Sequence, residues 1–574
     1  MARCEIKMEI LFAAVYSAFW LAAALPAMRV LQSLSYRPER GYARIEKTNE
    51  FISCLILNLM FAAAFVLFGK IAAIAFVTVN LAYVVWLRTV KKRTLYRKTN
   101  RILRQYATNY IILILLSIIW LPLGGLLCYL VPVVGLWVNR PIEMLINRKF
   151  INQAVKKIRN SRAIKVIITG SYGKTSVKNY LKTLLSEKYK VLATPESYNT
   201  PLGIALTVNN SLSDETEIFI AEAGARQKGD ILEICEMIEP DLGVIVGIAP
   251  QHIQTFGTLN EIISTKFELV NYINKKFNKL NYKNKLEKSC IKKRKPRVKK
   301  VGKTAPLNQD LKSKMTCNFL KKADCSRDGL YYNIKKRFIY SNNCELLKNE
   351  VKFRECDGLA CGKGGFIDIR LVCRSCKSSF ESDILRITNG QNFLFNFGNL
   401  FFEGKCHLFA ESEIDSLCVA AGAAYSLGLM PEEIVRAAST IKSVAHRAEV
   451  KFNGNIFIID DSYNCSTESA KSSITLLDSF FGKKMCITPG IVEGGNLQVR
   501  LNFEIGTQLA KVCDWVCIVG PNADAIEKGL LSESFHKENI FRASTPENAV
   551  KMLAPYFSHG DVLLFLNDVP DDYL

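Results

Sequence analysis

Ile164 to Thr169 is an apolar, mostly β-branched run that passes directly into Gly170-Ser171-Tyr172-Gly173-Lys174-Thr175-Ser176. A buried strand that ends in a glycine turn and restarts as a helix belongs to α/β folds with a mainly parallel sheet. Glycines let backbone N–H groups close on an anion, and the helix N-terminus adds positive potential. Gly170, Ser171, Gly173, Lys174, Thr175 and Ser176 are therefore candidate phosphate ligands. Lys174 would reach the terminal phosphates, and the Thr175 hydroxyl would bind Mg²⁺. The bland alternative is a tight turn with an incidental lysine, and the strand before the loop and the helix after it argue against that reading.

The rest of the chain fits the same class. Ile218 to Ala221 and Gly243 to Ile248 read as further strands, and Glu413 to Leu427 as an alanine-rich helix followed by a helix start at Pro431. A second α/β unit begins near Arg447, with strands expected at Ile456 to Ile459, Lys484 to Ile487, Trp515 to Val519 and Val562 to Phe565. From Asn271 to Lys303 fourteen Lys or Arg face the single acid Glu287, and such a block reads as an exposed or disordered insertion. The expected domains are residues 1–150, 151–443 with a Lys-rich insertion at about 271–335, and 444–574.

Residues 1–150 differ in composition. Ile10 to Met28, Phe51 to Phe68, Ile71 to Leu87 and the longer Asn109 to Val138 carry no charge, which suits helices that cross a bilayer. Pro122, Gly124, Gly125 and Pro132 should split the last run in two, giving about five spans. The first run could instead be a signal peptide, since Arg3 and Lys7 precede it and Ala23 to Ala27 end it. Basic loops with Lys91, Lys92, Arg93, Arg97, Lys98, Arg101 and Arg104, and later Arg148, Lys149, Lys156, Lys157 and Arg159, put those ends in the cytoplasm. The expectation is a multi-pass protein of the cell membrane with its α/β domains in the cytoplasm, where the eighteen cysteines stay thiols. The net charge of +23 comes largely from these loops and the lysine run, and favours anionic membrane lipids over nucleic acid.

Only two residues separate Gly170 from Gly173, where the common phosphate loop has four between its glycines. That spacing resembles the Mur ligases and the related folylpolyglutamate synthetases. The resemblance continues in order through Glu222 in Ala221-Glu222-Ala223-Gly224-Ala225, His252 in Pro250-Gln251-His252, Lys266 in Thr265-Lys266-Phe267-Glu268, and Arg447 in His446-Arg447-Ala448-Glu449. Asp460-Asp461-Ser462-Tyr463-Asn464 resembles the branch that adds D-alanyl-D-alanine. The resemblance implies an ATP-dependent ligase of peptidoglycan precursor synthesis. It would activate a muropeptide carboxylate as an acyl phosphate and join it to an amino acid or dipeptide amine, here D-Ala-D-Ala. It also implies that Thr175, Glu222 and His252 bind Mg²⁺, and that Lys266 becomes a metal-binding carbamate. Arg447 would reach the ATP phosphates and Asp461 the ribose. Taken singly, a lone Glu, His or Lys is ordinarily a solvated or core residue.

Several strings depart from the family. Phe409-Ala410-Glu411-Ser412-Glu413 stands where a Gly-x-His-Asn string is usual, Cys465-Ser466-Thr467 replaces Ala-Asn-Pro, and Asn342-Asn343-Cys344 replaces Asn-x-Asp. These changes bear on adenine contacts. The family's soluble UDP-binding domain is replaced by the apolar runs, so the muropeptide could be UDP-linked or lipid-linked; a Mur-type ligase or amidating enzyme acting on a lipid-linked precursor is one rival, and a degenerate nucleotide-binding membrane scaffold is a rival of another class. Cys356, Cys361, Cys373 and Cys376 could form a zinc site or remain thiols.

Overall fold

The computed structural model describes the chain except for residues 1, 34–48, 70, 73–78, 80, 81, 84, 86–98, 196–197, 251–252, 294–336, 355–357, 373–378, 464, 493 and 568–574. It divides into two compact units, Met1–Phe150 and Ile151–Leu574.

The first unit is helical: α1 Ala2–Ala23, α2 Leu25–Ser33, α3 Asn49–Phe68, α4 Asn100–Ile119, α5 Leu121–Leu126 and α6 Val131–Asn160. The run Ile10 to Met28, expected as one span, is divided at Ala24, with Pro26 in the first turn of α2, where its missing N–H costs nothing. The run Asn109 to Val138 breaks as expected. Trp120 is extended at φ −158 and ψ 120, and Pro122 opens α5. Gly125 lets the chain approach α3 so closely that a Cβ there would lie 2.1 Å from Asn58 Oδ1. Tyr16 stacks on Phe61 with ring centres 5.7 Å apart. Among the described residues two helical stretches, Phe51–Phe68 and Asn100–Ile119, are long and apolar enough to cross a membrane. Most of Ile71 to Leu87 falls outside the described residues.

In the second unit one sheet has the order β2-β3-β1-β4-β5-β6-β7-β8-β9. Its strands are β1 Ile164–Thr169, β2 Val191–Ala193, β3 Ile218–Glu222, β4 Leu242–Ile245, β5 Phe338–Ser341, β6 Leu359–Cys361, β7 Ile367–Leu371, β8 Gln391–Phe397 and β9 Leu400–Cys406. Pairing is parallel from β2 to β7 and antiparallel between β7, β8 and β9. A second sheet has the order β10-β11-β15-β12-β13-β14 and is parallel except for β10. It comprises β10 Glu449–Phe452, β11 Phe457–Asp461, β12 Lys484–Thr488, β13 Trp515–Val519, β14 Ile540–Ala543 and β15 Val562–Leu566.

Two expectations need correction. The strand expected to run to Ile248 ends at Ile245, because residues 246–248 leave the sheet and bring Gly247 O to Ser171 N at 2.7 Å. The lysine block is also ordered at its start. Residues Leu259–Lys293 form one helix that buries Ile262, Phe267, Leu269, Val270 and Ile273 on one face. Lys276 Nζ reaches the carbonyls of Glu239 and Pro240 and Asp241 Oδ1, each within 2.9 Å, so a lysine read as mere charge closes the preceding turn. Lysine is also a good helix former, which a reading based on charge alone neglects.

The helices Lys174–Ser186 (α7) and Glu411–Ser426 (α8) pack together against the first sheet. The alanines at 420, 421, 423 and 424 of α8 are all buried, and Gly422 faces the thiol of Cys361 on β6. Cys361 is fully buried there, which makes it a packed core thiol, and burial pushes its pKa up. Cys356, Cys373 and Cys376 lie outside the described residues. A Cβ on Gly422 would meet Cys361 Sγ at 2.3 Å. Gly422→Val should therefore destabilise the protein by about 1–3 kcal/mol in denaturant unfolding. Adding Cys361→Ala should restore part of that loss, and a pair of effects that simply add would show that the two residues do not touch.

Candidate functional site

The chain leaves β1 on one side toward β2 and β3 and returns on the other side as β4 and β5, so a crevice opens at the carboxyl ends of β1 and its neighbours. The phosphate loop lines it. Gly170 has φ 153 and Gly173 has φ 74, and at Gly173 a Cβ would also lie 2.6 Å from Val246 Cγ1. Side chains at these two positions would strain or block the turn. Ser171 is held from behind, its N–H on Gly247 O and its hydroxyl on Ala249 O at 3.1 Å. Tyr172 lies against Gly247, where any Cβ would meet its ring at 2.3 Å. Lys174 Nζ donates to Gly170 O at 2.9 Å and Ser171 O at 3.3 Å, within its own loop. Ser176 is buried at the start of α7.

Glu222 ends β3 opposite Ile168, which is why it faces the loop. Its Oε2 accepts the Thr175 hydroxyl at 3.0 Å and lies 3.4 Å from Lys178 Nζ, while Asn199 Nδ2 is 3.4 Å from Oε1. Thr175 and Glu222 were expected together from sequence, and Lys178 and Asn199 were not. The signal for Lys178 was its position four residues after Lys174, on the same helix face.

Lys266 is buried in the helix Leu259–Lys293, and its pKa is pushed down to about 7. Burial is the main cause and the Lys174 ammonium adds to it, against the opposing charges of Asp230, Glu268 and Glu222. Loss of water likewise lowers the pKa of Lys174, with Arg447 adding to the effect and Glu222 opposing it. Arg447 is near enough for its charge to act on Lys174. His252 lies outside the described residues.

Arg447 sits between two non-glycine residues with positive φ, His446 at 60 and Ala448 at 53. Its guanidinium lies 4.3 Å from the centre of the Tyr463 ring, and Tyr463 N–H donates to His446 O. Asp460 Oδ2 holds His446 Nδ1 at 2.8 Å. The other member of the acidic pair faces inward. Asp461 is buried, and its Oδ2 accepts the hydroxyls of Ser473 at 2.8 Å and Ser469 at 3.1 Å. Burial raises its pKa to about 6, against the serine donors and Arg447.

Two of the three altered strings, Asn342–Cys344 and Phe409–Glu413, share one cavity of about 880 Å³. Asn342, Asn343, Phe409, Glu411 and Asp415 line it, together with Asp368 and Arg370 of β7. Asn343 Nδ2 bonds Asp415 Oδ1, and burial raises the Asp415 pKa to about 7. Tyr172 hydrogen-bonds the side chain of Cys344, and a Cβ on Gly173 would lie 3.3 Å from Ser416 Oγ, so the phosphate loop neighbours residues next to the lining Asn343 and Asp415.

Among the described residues no three His, Cys, Asp or Glu side chains cluster to hold a metal by themselves. Mg²⁺ does not require such a cage, because it keeps waters and takes phosphate oxygens. A hydroxyl and a carboxylate 3.0 Å apart beside the loop are hard oxygen donors that fit it.

Together the strand, loop, lysine and carboxylate define an α/β protein built to hold the phosphates of a nucleotide. Residues 168–328 match the Mur ligase middle domain. The UDP-N-acetylmuramoyl-tripeptide–D-alanyl-D-alanine ligase of Bacillus subtilis is 24% identical over 403 residues, 69% of this chain and 71% of that protein. Its namesake from Rickettsia prowazekii is 36% identical over 129 residues, 22% of this chain and only 28% of that protein. In fold the chain is similar to MurF of Thermotoga maritima in complex with ADP, with TM-score 0.54, 22% identity, and 74% of this chain and 80% of that one covered. MurF of Acinetobacter baumannii gives 0.55, 17%, 74% and 77%. Residues 168–328 thus match the Mur ligase middle domain, and the chain is similar in sequence and fold to D-alanyl-D-alanine-adding ligases.

Lys174→Ala should lower ATP-dependent turnover at least about a hundredfold, the cost of losing one charge-stabilising donor, while its thermal unfolding stays that of the parent. Near-normal turnover would remove Lys174 from the chemistry. For Lys266, an amine whose pKa is near 7 is neutral in roughly half the molecules at neutral pH and can add to CO₂ with loss of a proton, exchanging a cation for a carboxylate. Lys266→Ala should be nearly inactive and partly rescued by high acetate, Lys266→Arg should not restore activity, and ¹³C-bicarbonate should give a carbamate NMR signal in the parent alone. An active Lys266→Arg protein would sink the carbamate assignment.

Proposed function

We propose that this chain is an ATP-dependent ligase of peptidoglycan precursor synthesis that joins a muropeptide carboxylate to the amine of D-Ala-D-Ala. The observation that carries the reading is the Thr175–Glu222 contact beside Lys174, at the mouth of a shortened glycine loop. The carboxylate oxygen attacks the γ-phosphorus of ATP, ADP leaves, and the resulting acyl phosphate is attacked by the amine, which releases phosphate and a proton as the amide forms. Two anions meet in the first step, so positive charge has to converge on the transferred group. Lys174 and Arg447 supply it. Thr175, Glu222, His252 and a carbamate of Lys266 would hold Mg²⁺, which would supply charge to offset the phosphates.

The nucleoside end of ATP is assigned to the cavity between Asn343 and Asp415, next to Tyr172. Asp461 contributes from the C-terminal domain, residues 444–574, by fixing the start of the helix Thr467–Asp478 through Ser469 and Ser473. Ribose contact by Asp461 is left to its Oδ1. The two apolar helices and the basic loops support a cell-membrane protein with the catalytic domains on the cytoplasmic side. The substrate can then be UDP-linked or lipid-linked. Purified full-length protein in detergent should release phosphate from ATP only when D-Ala-D-Ala and a UDP-linked or lipid-linked muropeptide tripeptide are both present, in a one-to-one ratio with new amide. Phosphate release that ignores the dipeptide would overturn the choice of amine, and nucleotide binding with no release under any pairing would leave a scaffold.

A further inference from the structure

Lys178 is buried more completely than any other cation of the site, with 1% of its side chain exposed, and Glu222 opposite it is 2% exposed. Its Nζ is 3.4 Å from Glu222 Oε2, the oxygen that also accepts the Thr175 hydroxyl. A charge here cannot be excused as a solvated surface lysine. Burying an ammonium costs several kcal/mol unless a counter-charge offsets it. The phosphate chemistry assigned above uses Lys174 and leaves Lys178 without a task.

The arrangement of charge suggests one. Lys174 and Lys178 both stand on the α7 face turned to Glu222, and Lys266 is close enough to be repelled by Lys174 and attracted by Glu222. Glu222 thus acts on three lysine side chains, while Asp230 and Glu268 also attract Lys266. Conversion of Lys266 to a carbamate would still leave the Lys174 and Lys178 ammonium groups beside Glu222. A divalent cation arriving alone meets a Glu222 whose charge is already offset by Lys178. A cation arriving on a triphosphate brings its own excess of negative charge, and Lys174 and Lys178 then favour the complex.

We propose that Lys178 is a fixed counter-charge that keeps Glu222 from taking up free divalent metal and makes metal entry depend on bound nucleotide. The proposal rests on the reading of Glu222 as a metal ligand. The physical basis is Coulombic and short-ranged. A unit charge within several ångströms of a divalent ion in a buried site changes affinity by at least about tenfold, even at an effective dielectric constant near 20. The consequence is order of binding: the enzyme does not hold Mg²⁺ between turnovers, and the metal comes and goes with the nucleotide.

The test uses full-length protein in detergent and Mn²⁺ as a paramagnetic substitute for Mg²⁺, with free Mn²⁺ counted by EPR in the absence of nucleotide. The parent should bind Mn²⁺ weakly alone and tightly with ADP. Lys178→Met should bind nucleotide-free Mn²⁺ at least about tenfold more tightly than the parent, and Lys178→Arg, which keeps the charge, should match the parent. Lys178→Gln removes the charge but can still donate a hydrogen bond to Glu222, so it carries the test if the methionine variant does not fold. Unchanged or weaker Mn²⁺ binding in the charge-removing variants overturns the proposal. Tightening that survives an added Glu222→Gln change overturns instead the assignment of Glu222 as metal ligand.

Discussion

The parallel pairing of β1 with β3, which sets Ile168 opposite Glu222, is the constraint on which the rest of the site depends. Strand pairing fixes side-chain direction with a period of two, so a slip of one residue would turn Glu222 to the far face and separate it from Thr175. The register is held by complete burial: every residue of β1 and β3 is buried, and on the other side of β1 Lys165 is tied to Asp241, just before β4, by backbone and carboxylate bonds. The hydrophobic core thus sets the position of the carboxylate, and the carboxylate sets where α7 presents Thr175 and Lys178.

A second constraint comes from the C-terminal half. Arg447 is presented by two residues in the left-handed region, His446 and Ala448, a conformation that costs of order 1 kcal/mol or more for each non-glycine residue. The strain is offset by His446 on Asp460, the Tyr463 N–H on His446 O, and the Tyr463 ring against the guanidinium. The Asp-Asp-Ser-Tyr string therefore acts mainly as a mount for Arg447. Its first aspartate orients His446, its tyrosine faces the arginine, and its second aspartate turns inward to anchor a helix.

Much of this was legible in the sequence, for reasons that differ by element. The glycine loop was readable because strand, turn and helix signals are local and agree, and β1 and β13 fall on their expected residues. Thr175 and Glu222 were placed together only through resemblance to a family, since 47 residues separate them and spacing alone carries no such contact. The end of β4 was misread because Val246 and Ile248 keep an apolar pattern while their backbone serves the phosphate loop. The start of the lysine block was misread because net charge was weighed over helix periodicity, which continues through Ile273 and Phe277.

The altered strings illustrate a different limit. From sequence, Asn342-Asn343-Cys344 and Phe409 to Glu413 are two separate losses of family character, each of which weakens the case for an active enzyme. In the fold they border one cavity and touch through Asn343 and Asp415. Glu413 has moreover taken a structural role, accepting the N–H groups of Phe409 and Ala410 at the start of α8 and the Tyr180 hydroxyl of α7. Two changes that meet in space are one change in the shape and polarity of a single pocket. That pocket lies beside the phosphate loop but is separate from Lys174, Thr175 and Glu222. On the function proposed above, these two departures bear on the nucleoside end, and the arrangement of Lys174, Thr175 and Glu222 is left whole.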